Sequence, residues 1–111
     1  MKKCYKKGEI VFVNFPYTNF IEFKVRPALV LRNQYDDDVL LLPISTTVNL
    51  QRHDLVIKEP HYAGKALTVE SAVRIGKMTN VESDLIIKKF GQLKPEFFKQ
   101  VQKAVIDYLV R

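Results

Sequence analysis

The chain has 111 residues, of which 47% are apolar and 27% are charged, and it contains one cysteine and no tryptophan. A chain of this length is expected to form one domain over residues 1–111 around a single modest core, which excludes multi-domain enzymes. The longest apolar runs, at residues 28–31 and 39–42, are far shorter than the ~20 residues that a membrane-spanning helix needs.

Basic residues outnumber acidic residues. The 18 Lys and Arg against 12 Asp and Glu give a net charge of +6, and residues 1–32, with seven basic and two acidic residues, contribute +5 of it. Such an excess attracts polyanions through long-range electrostatics and the release of counterions. The charge therefore favours a nucleic acid or an acidic protein segment as partner.

The amino-terminal residues and the cysteine content predict a cytoplasmic protein that does not bind a membrane. Residues 1–7 are basic, but they lead into an alternating pattern at residues 10–15 and not into the apolar core of a signal peptide. Cys4 has no second cysteine with which to form an internal disulfide or a zinc site. A reducing compartment is therefore expected.

The first third of the chain predicts two strands. Residues 8–15 begin with a glycine and continue with β-branched and aromatic residues, and Pro16 ends this pattern. Residues 17–25 either form a long hairpin loop or continue the strand pairing. Residues 27–33 are almost continuously apolar, which is typical of a central strand covered on both faces.

The middle of the chain predicts shorter strands. After a polar turn at residues 36–38, residues 39–44 are expected to form the next strand, and residues 53–57 a short one. Residues 71–78 alternate apolar and other side chains, which predicts a strand with one buried and one polar face. Arg74 is expected to point away from the core.

The end of the chain predicts a long amphipathic helix. Residues 81–87 are expected to form a single helical turn and residues 88–93 a last short strand, and Pro95 suits the first position of a helix. Apolar residues then recur at helical spacing, namely Phe97, Phe98, Val101, Ala104, Val105, Tyr108 and Leu109. Five or more short strands and one long helix predict a mainly β fold with α (α+β), a small SH3-like antiparallel barrel with a long C-terminal helix.

Few side chains have the spacing of a known catalytic or metal site. His53 and His61 lie too far from cysteines or paired carboxylates to bind a metal, and residues 36–38 lack the glycine and distal glutamate of a calcium loop. No metal and no cofactor is therefore expected. Arg26, fixed by the proline that follows it, and the hydroxyl residues 45–47 are expected at strand rims, where small barrels place groups that contact ligands.

Five segments, taken in order, resemble one known family. They are G-E-I-V-F-V-N-F-P from Gly8, R-P-A-L-V-L from Arg26, P-I-S-T from Pro43, S-A-V-R from Ser71 and F-G-Q-L from Phe90. Together they resemble the PemK/MazF family of toxins from type II toxin–antitoxin systems over nearly the whole chain. The resemblance implies a homodimeric barrel-and-helix fold and a sequence-specific, metal-independent endoribonuclease for single-stranded RNA that an antitoxin neutralises.

The resemblance also implies catalytic residues. The catalytic Arg of the family's R-P motif falls on Arg26, and the hydroxyl residue that ends the strand of the I-T or I-S motif falls on Ser45, with Thr46 next if the register differs by one. In one branch of the family an Arg and an Asp two residues apart act as acid and base. The Arg matches Arg74, but the Asp position is Gly76, which favours Arg26 with Ser45.

Four further residues are predicted to bind RNA. Tyr17 suits stacking on a base beside a basic groove, close to Lys24. His53 follows the strand of Ser45 and is a candidate for proton transfer, and Arg74 is a candidate for phosphate contact. The expected protein partner is a cognate antitoxin with an acidic, partly disordered tail that folds on binding and competes with RNA for one surface.

Two other functions are compatible with the sequence. The related gyrase poison CcdB shares the barrel fold, but it acts by binding a protein and has no nuclease site. A non-catalytic module that binds RNA or the antitoxin is compatible with Gly76 in place of the family's Asp. The segment that begins with Arg26 favours the nuclease over the poison.

Overall fold

The computed structural model describes residues 4–16, 23–47 and 53–111. Within these ranges the chain forms seven strands and one long helix. In chain order they are β1 (Glu9–Pro16), β2 (Phe23–Asn33), β3 (Asp38–Ser45), β4 (Asp54–Ile57), β5 (Ser71–Arg74), β6 (Thr79–Glu82), β7 (Ile86–Gln92) and α1 (Pro95–Leu109). Short 3₁₀ turns connect several of the strands.

The strands form one open, barrel-like antiparallel sheet. Its order is β4-β5-β3-β2-β1-β7, and β6 pairs with β3 outside this path. β3 is the central strand, because it pairs with β2 along one side and with β6 and then β5 along the other. The prediction of an antiparallel barrel-like sheet with a C-terminal helix is confirmed.

Both faces of the sheet are covered, as the continuous apolar run in β2 predicted. Leu29 belongs to a cluster under α1, here called the helix-side cluster, which includes Ile10, Leu42, Ile44, Val73, Phe97, Phe98 and Val101. Ala28 and Val30 belong to a cluster on the other face, the barrel-side cluster, which includes Val11, Val13, Val39, Leu41, Val81 and Ile86. Each fully buried aliphatic side chain contributes about 1.5–3 kcal/mol to folding.

The helix begins where the sequence predicts. Pro95 lies in its first turn, after Lys94 as the cap residue, and Phe97, Phe98 and Val101 are buried. Leu109 was expected on the buried stripe but is 60% exposed, because the last turn extends beyond the helix-side cluster. No helix in the described part of the chain is long and apolar enough to cross a membrane.

The β1–β2 hairpin shows that residues 23–25 continue the strand pairing, which is one of the two alternatives that the sequence leaves open for residues 17–25. Pairing continues from Ile10 opposite Leu29 to Pro16 opposite Phe23, so β2 begins four residues before Pro27. A proline is tolerated at this position, although it removes one hydrogen-bond donor from the strand.

Two predictions in the second half of the chain are wrong in part. β5 ends at Arg74 and is followed by the 3₁₀ turn Ile75–Lys77. Its first three residues are all buried, so both faces of the strand are covered at these positions. The predicted helical turn at residues 81–87 is only the 3₁₀ turn Ser83–Leu85, since the residues around it pair as strands.

Candidate functional site

Arg26 lies inside β2 and not at its beginning, which corrects the expectation of a strand boundary. It is paired with Val13 of β1, whereas the ladder between β2 and β3 ends at Ala28 opposite Pro43. The first residues of β2 therefore form an arm that is paired on one side only. Arg26 is exposed on this arm.

The register of the sheet aligns Arg26 with Ser45. Continuing the pairing of Ala28 with Pro43 by two residues beyond the end of the β2–β3 ladder puts Arg26 at the level of Ser45, the last residue of β3. Side chains alternate along a strand, so both residues lie on the face of the barrel-side cluster, to which Ala28 and Leu41 belong. The two residues therefore share a face and an end of the sheet.

The hydroxyl of Ser45 is engaged in a local turn. Its Oγ accepts a hydrogen bond from the Thr47 backbone N–H at 3.0 Å, and it lies 3.2 Å from the Thr47 carbonyl oxygen, to which it donates. Thr46, the alternative to Ser45, is exposed just after the strand ends. The strand end thus offers two hydroxyl groups, of which that of Ser45 is at the level of Arg26.

Lys24 adds a second positive charge to this end of the sheet. It lies two residues before Arg26 in β2, so it shares the same face, and it is exposed opposite Phe15 of β1. Lys24, Arg26 and Ser45 together are called the β2–β3 rim below. Tyr17, predicted to stack on RNA, lies outside the described residues.

Arg74 lies on the same face, two strands from Arg26. Ser45 is paired with Ala72 of β5, and Arg74 follows two residues later, so alternation places it on the face of Ser45. Directly opposite Arg74 in β4 is Asp54, and Arg74 Nε lies 3.6 Å from Asp54 Oδ1. The side chain of Arg74 is 22% exposed and that of Asp54 is 1% exposed.

Asp54 is a residue of this region that was not predicted from the sequence. The available signal was its position: a carboxylate that opens the otherwise apolar strand Asp54–Ile57, directly after His53. Its partner, however, is 20 residues further along the chain, and only the β4–β5 register brings the two together.

His53 is placed with Arg74 and not with the β2–β3 rim. It precedes β4, three strand positions from β2, and has a left-handed backbone with φ of 62°. Its ring lies 5.4 Å from that of Tyr108 and its Nδ1 3.5 Å from Nη1 of Arg111. His53, Arg74 and Tyr108 line one side of a cavity of about 340 Å³.

Gly76 lies under the ring of Tyr108. A Cβ at this position would be 3.3 Å from Tyr108 Oη and 3.5 Å from its Cζ. The last turn of α1 therefore occupies the space that a side chain at position 76 would need. Across residues 4–16, 23–47 and 53–111, no three His, Cys, Asp or Glu side chains are grouped as metal ligands.

A protein-family model matches almost the whole chain. The model of the PemK-like, MazF-like toxin of type II toxin–antitoxin systems matches residues 6–109 of this chain. The chain belongs to the PemK/MazF family of toxins. A search of curated proteins gave no match.

Solved structures of MazF toxins share this fold. A MazE–MazF complex from Deinococcus radiodurans is 16% identical with a TM-score of 0.77, and the match covers 97% of either chain. The Mycobacterium tuberculosis toxin MazF-mt6 is 17% identical with a TM-score of 0.64, over 86% of this chain and 91% of that one. A mycobacterial endoribonuclease in complex with its cognate antitoxin is 13% identical with a TM-score of 0.71, over 96% and 94%.

Proposed function

We propose that this PemK/MazF toxin is a metal-independent, sequence-specific endoribonuclease that cleaves single-stranded RNA, with Arg26 and Ser45 as its catalytic pair and Thr46 as the neighbouring hydroxyl. The observation that supports the proposal is the β2–β3 register, whose continuation by two residues beyond Ala28 and Pro43 aligns Arg26 with Ser45 on one face. Membership of the family and the fold of a mycobacterial endoribonuclease support the same activity.

The RNA supplies its own nucleophile in this mechanism. The ribose 2′-hydroxyl gives its proton to solvent water and attacks the adjacent phosphorus, the new P–O2′ bond forms, and the P–O5′ bond breaks. The leaving O5′ takes up a proton from solvent, so the number of protons is unchanged. The products are a 2′,3′-cyclic phosphate and a free 5′-hydroxyl, and no water molecule or metal ion is consumed.

The protein's part is to stabilise the negative charge that grows on the phosphorane. The guanidinium of Arg26 is planar, and its set of N–H donors matches two phosphate oxygens. The hydroxyl of Ser45 adds a donor once it turns from the Thr47 carbonyl. Donors held in place for developing charge contribute about 10²–10³ in rate each.

Lys24 and Arg74 extend the basic face along the RNA on both sides of this pair. Both lie on the face of Arg26 and Ser45, Lys24 in β2 and Arg74 in β5. Cations along a strand of RNA bind phosphates regardless of base, whereas aromatic rings stack on bases. We assign phosphate contacts to Lys24 and Arg74 and base stacking to Tyr17.

The same surface is proposed to bind the antitoxin. Two of the structural neighbours are complexes with MazE or with a cognate antitoxin, and the net charge of +6 suits an acidic, partly disordered tail. Carboxylates of that tail would occupy the positions of RNA phosphates, so inhibition is competition. The toxin is proposed to act as a homodimer, as the family resemblance implies.

The test compares two arginines of the same strand. Arg26→Ala is expected to lower the rate of RNA cleavage in EDTA about 10²–10³-fold, in line with the loss of one donor to developing charge. Arg32→Ala is the matched control, because Arg32 is exposed in β2 at the end that pairs with Leu40, away from Ser45. It should cleave at the wild-type rate. Fragment ends are mapped on one defined transcript and tested for 5′-hydroxyl groups.

Each of the other outcomes would contradict part of this proposal or support a different function. Wild-type activity in a folded Arg26→Ala variant would remove Arg26 from the site. Intact RNA together with stalled gyrase would support the poison. RNA that is bound but never cut by the wild-type protein would support a non-catalytic module.

A further inference from the structure

A buried carboxylate lies next to Arg74 on the basic face. Asp54 is the first residue of β4, and its side chain is only 1% exposed. Taking an ionised carboxylate out of water costs several kcal/mol unless a cation or hydrogen bonds compensate. The buried carboxylate of Asp54 therefore indicates a role that an apolar side chain at this position could not have.

Asp54 contacts Arg74 from one side of the guanidinium. The two residues are directly opposite in the β4–β5 ladder, so their side chains leave the sheet on the same face. Asp54 Oδ1 lies 3.6 Å from Arg74 Nε, and this Nε atom is buried. A guanidinium has five N–H donors, and an anion on its Nε side leaves donors of the two terminal nitrogens for a second anion.

We propose that Asp54 is a positioning residue that holds Arg74 on the RNA-binding face, so that the terminal nitrogens of Arg74 contact a phosphate beside the scissile bond. The inference rests on the proposed ribonuclease function. Arg74 follows Ala72, the residue paired with Ser45, and its side chain is 22% exposed. The side chain of Asp54 is only 1% exposed, too little to bind RNA itself, and the proposal assigns its effect on cleavage to its contact with Arg74.

The neighbouring position that could supply another carboxylate is a glycine with little space beside it. Position 76, two residues after Arg74, is a glycine, and a Cβ there would lie 3.3 Å from Tyr108 Oη. The carboxylate on Arg74 in this chain therefore comes from the adjacent strand β4 and not from β5 or the turn after it. A fixed partner reduces the side-chain freedom that Arg74 would otherwise lose when it binds a phosphate.

The test is a double-mutant cycle on RNA cleavage. Asp54→Asn keeps the shape of the side chain and removes its charge, and we expect kcat to fall about tenfold with a smaller change in KM. In the Arg74→Ala background the same substitution should change kcat less than twofold, because Asp54 acts through Arg74. A purely structural role would lower kcat by the same factor in both backgrounds, and that result would overturn the proposal.

Folding is measured in parallel by urea denaturation, with Asp84→Asn, an exposed carboxylate in a turn, as the control expected to keep wild-type kcat. If Asp54→Asn does not fold, Asp54→Glu keeps the charge but displaces it by one methylene, and kcat should fall at least threefold. Wild-type kcat in a folded Asp54 variant refutes the positioning role alone. A wild-type protein that does not cut RNA refutes the proposed function instead.

Discussion

Ser45 is the residue of the rim whose hydroxyl is held by its own strand end. Its Oγ is hydrogen-bonded to the Thr47 backbone on both its donor and its acceptor side. A neutral hydrogen bond of this kind contributes only about 0.5–1.5 kcal/mol. In the proposed mechanism the hydroxyl therefore turns toward a phosphate at low cost.

His61 is a residue whose charge state is set by its neighbours. Its ring is stacked on Phe97 at 3.8 Å between centroids, and its Nδ1 accepts a hydrogen bond from the Lys58 N–H at 2.9 Å. Burial lowers the pKa of His61 from its ordinary value of 6.5, and the charges of Lys58 and Lys94 lower this pKa further. The folded protein therefore holds His61 neutral more strongly than the unfolded chain does.

This difference predicts a loss of stability in acid. Below pH 6.5 the unfolded chain takes up a proton at His61 before the folded protein does, so the contribution of His61 to stability is complete above pH 6.5 and is lost as the pH falls through the lower, folded pKa. Urea unfolding at pH 7 and pH 5 measures the change. His61→Phe keeps an aromatic ring on Phe97 and cannot titrate, so the stability of this variant should fall less between the two pH values.

The control for this effect is the same comparison at pH 7 and pH 8, because the contribution of His61 is complete above pH 6.5. The wild type and His61→Phe should differ in stability by the same amount at these two pH values. A difference that appeared only between pH 7 and pH 8 would mean that His61 is not the group responsible.

At the scale of elements, patterns within one segment were predictable and contacts between segments were not. The helical spacing from Phe97 onward and the apolar run of β2 depend on neighbours a few residues away, and both predict their element correctly. Arg26 was expected at a strand boundary, but β2 starts earlier because β1 pairs with its first residues.

In the candidate site, too, the residues of single segments were predictable and the contacts between segments were not. The segments with Arg26 and Ser45 could be recognised from their sequence, whereas their alignment depends on the β2–β3 register. The contact of Asp54 with Arg74 depends on the β4–β5 register and has no local signal. The exposure of Leu109 likewise depends on where the surface beneath α1 ends.

The packing of α1 gives a prediction for this element. Phe97 is 3% exposed in the helix-side cluster, and Phe97→Ala should lower the free energy of unfolding by about 3–5 kcal/mol, through lost burial and the cavity that remains. Lys103→Ala, an exposed position of the same helix, should stay within about 0.5 kcal/mol of the wild type. The urea midpoints of both variants measure these changes, provided that the slope of the unfolding free energy against urea concentration is unchanged. A loss below about 1 kcal/mol for Phe97→Ala would show that α1 contributes little to the core.

On the scale of the whole molecule, the two faces of the sheet differ in what covers them. The helix-side face is closed by Phe97, Phe98 and Val101 of α1. The opposite face carries the barrel-side cluster and, beyond it, the rim with Lys24 and Arg26. The strand register thus places Lys24 and Arg26 on the face away from α1, whereas Arg74 also lines the cavity beside Tyr108 of α1.

RNA binding through this face should depend strongly on salt. If Lys24, Arg26 and Arg74 each neutralise one phosphate, the logarithm of the affinity falls with the logarithm of the salt concentration at a slope of about −2, since each contact on a single strand contributes about −0.7. Raising the salt from about 50 to about 200 mM should then weaken binding about 20-fold. Fluorescence anisotropy with a fully 2′-O-methylated RNA, which lacks the nucleophile and cannot be cut, measures this slope.

Single substitutions identify which cations are responsible. Lys24→Ala should make the slope shallower by about 0.7, because one phosphate contact is lost. Lys99→Ala removes an exposed charge from α1, which packs on the other face of the sheet, and should leave the slope unchanged. If the two variants changed the slope equally, RNA would be held by the overall charge of the protein and not by the barrel-side face.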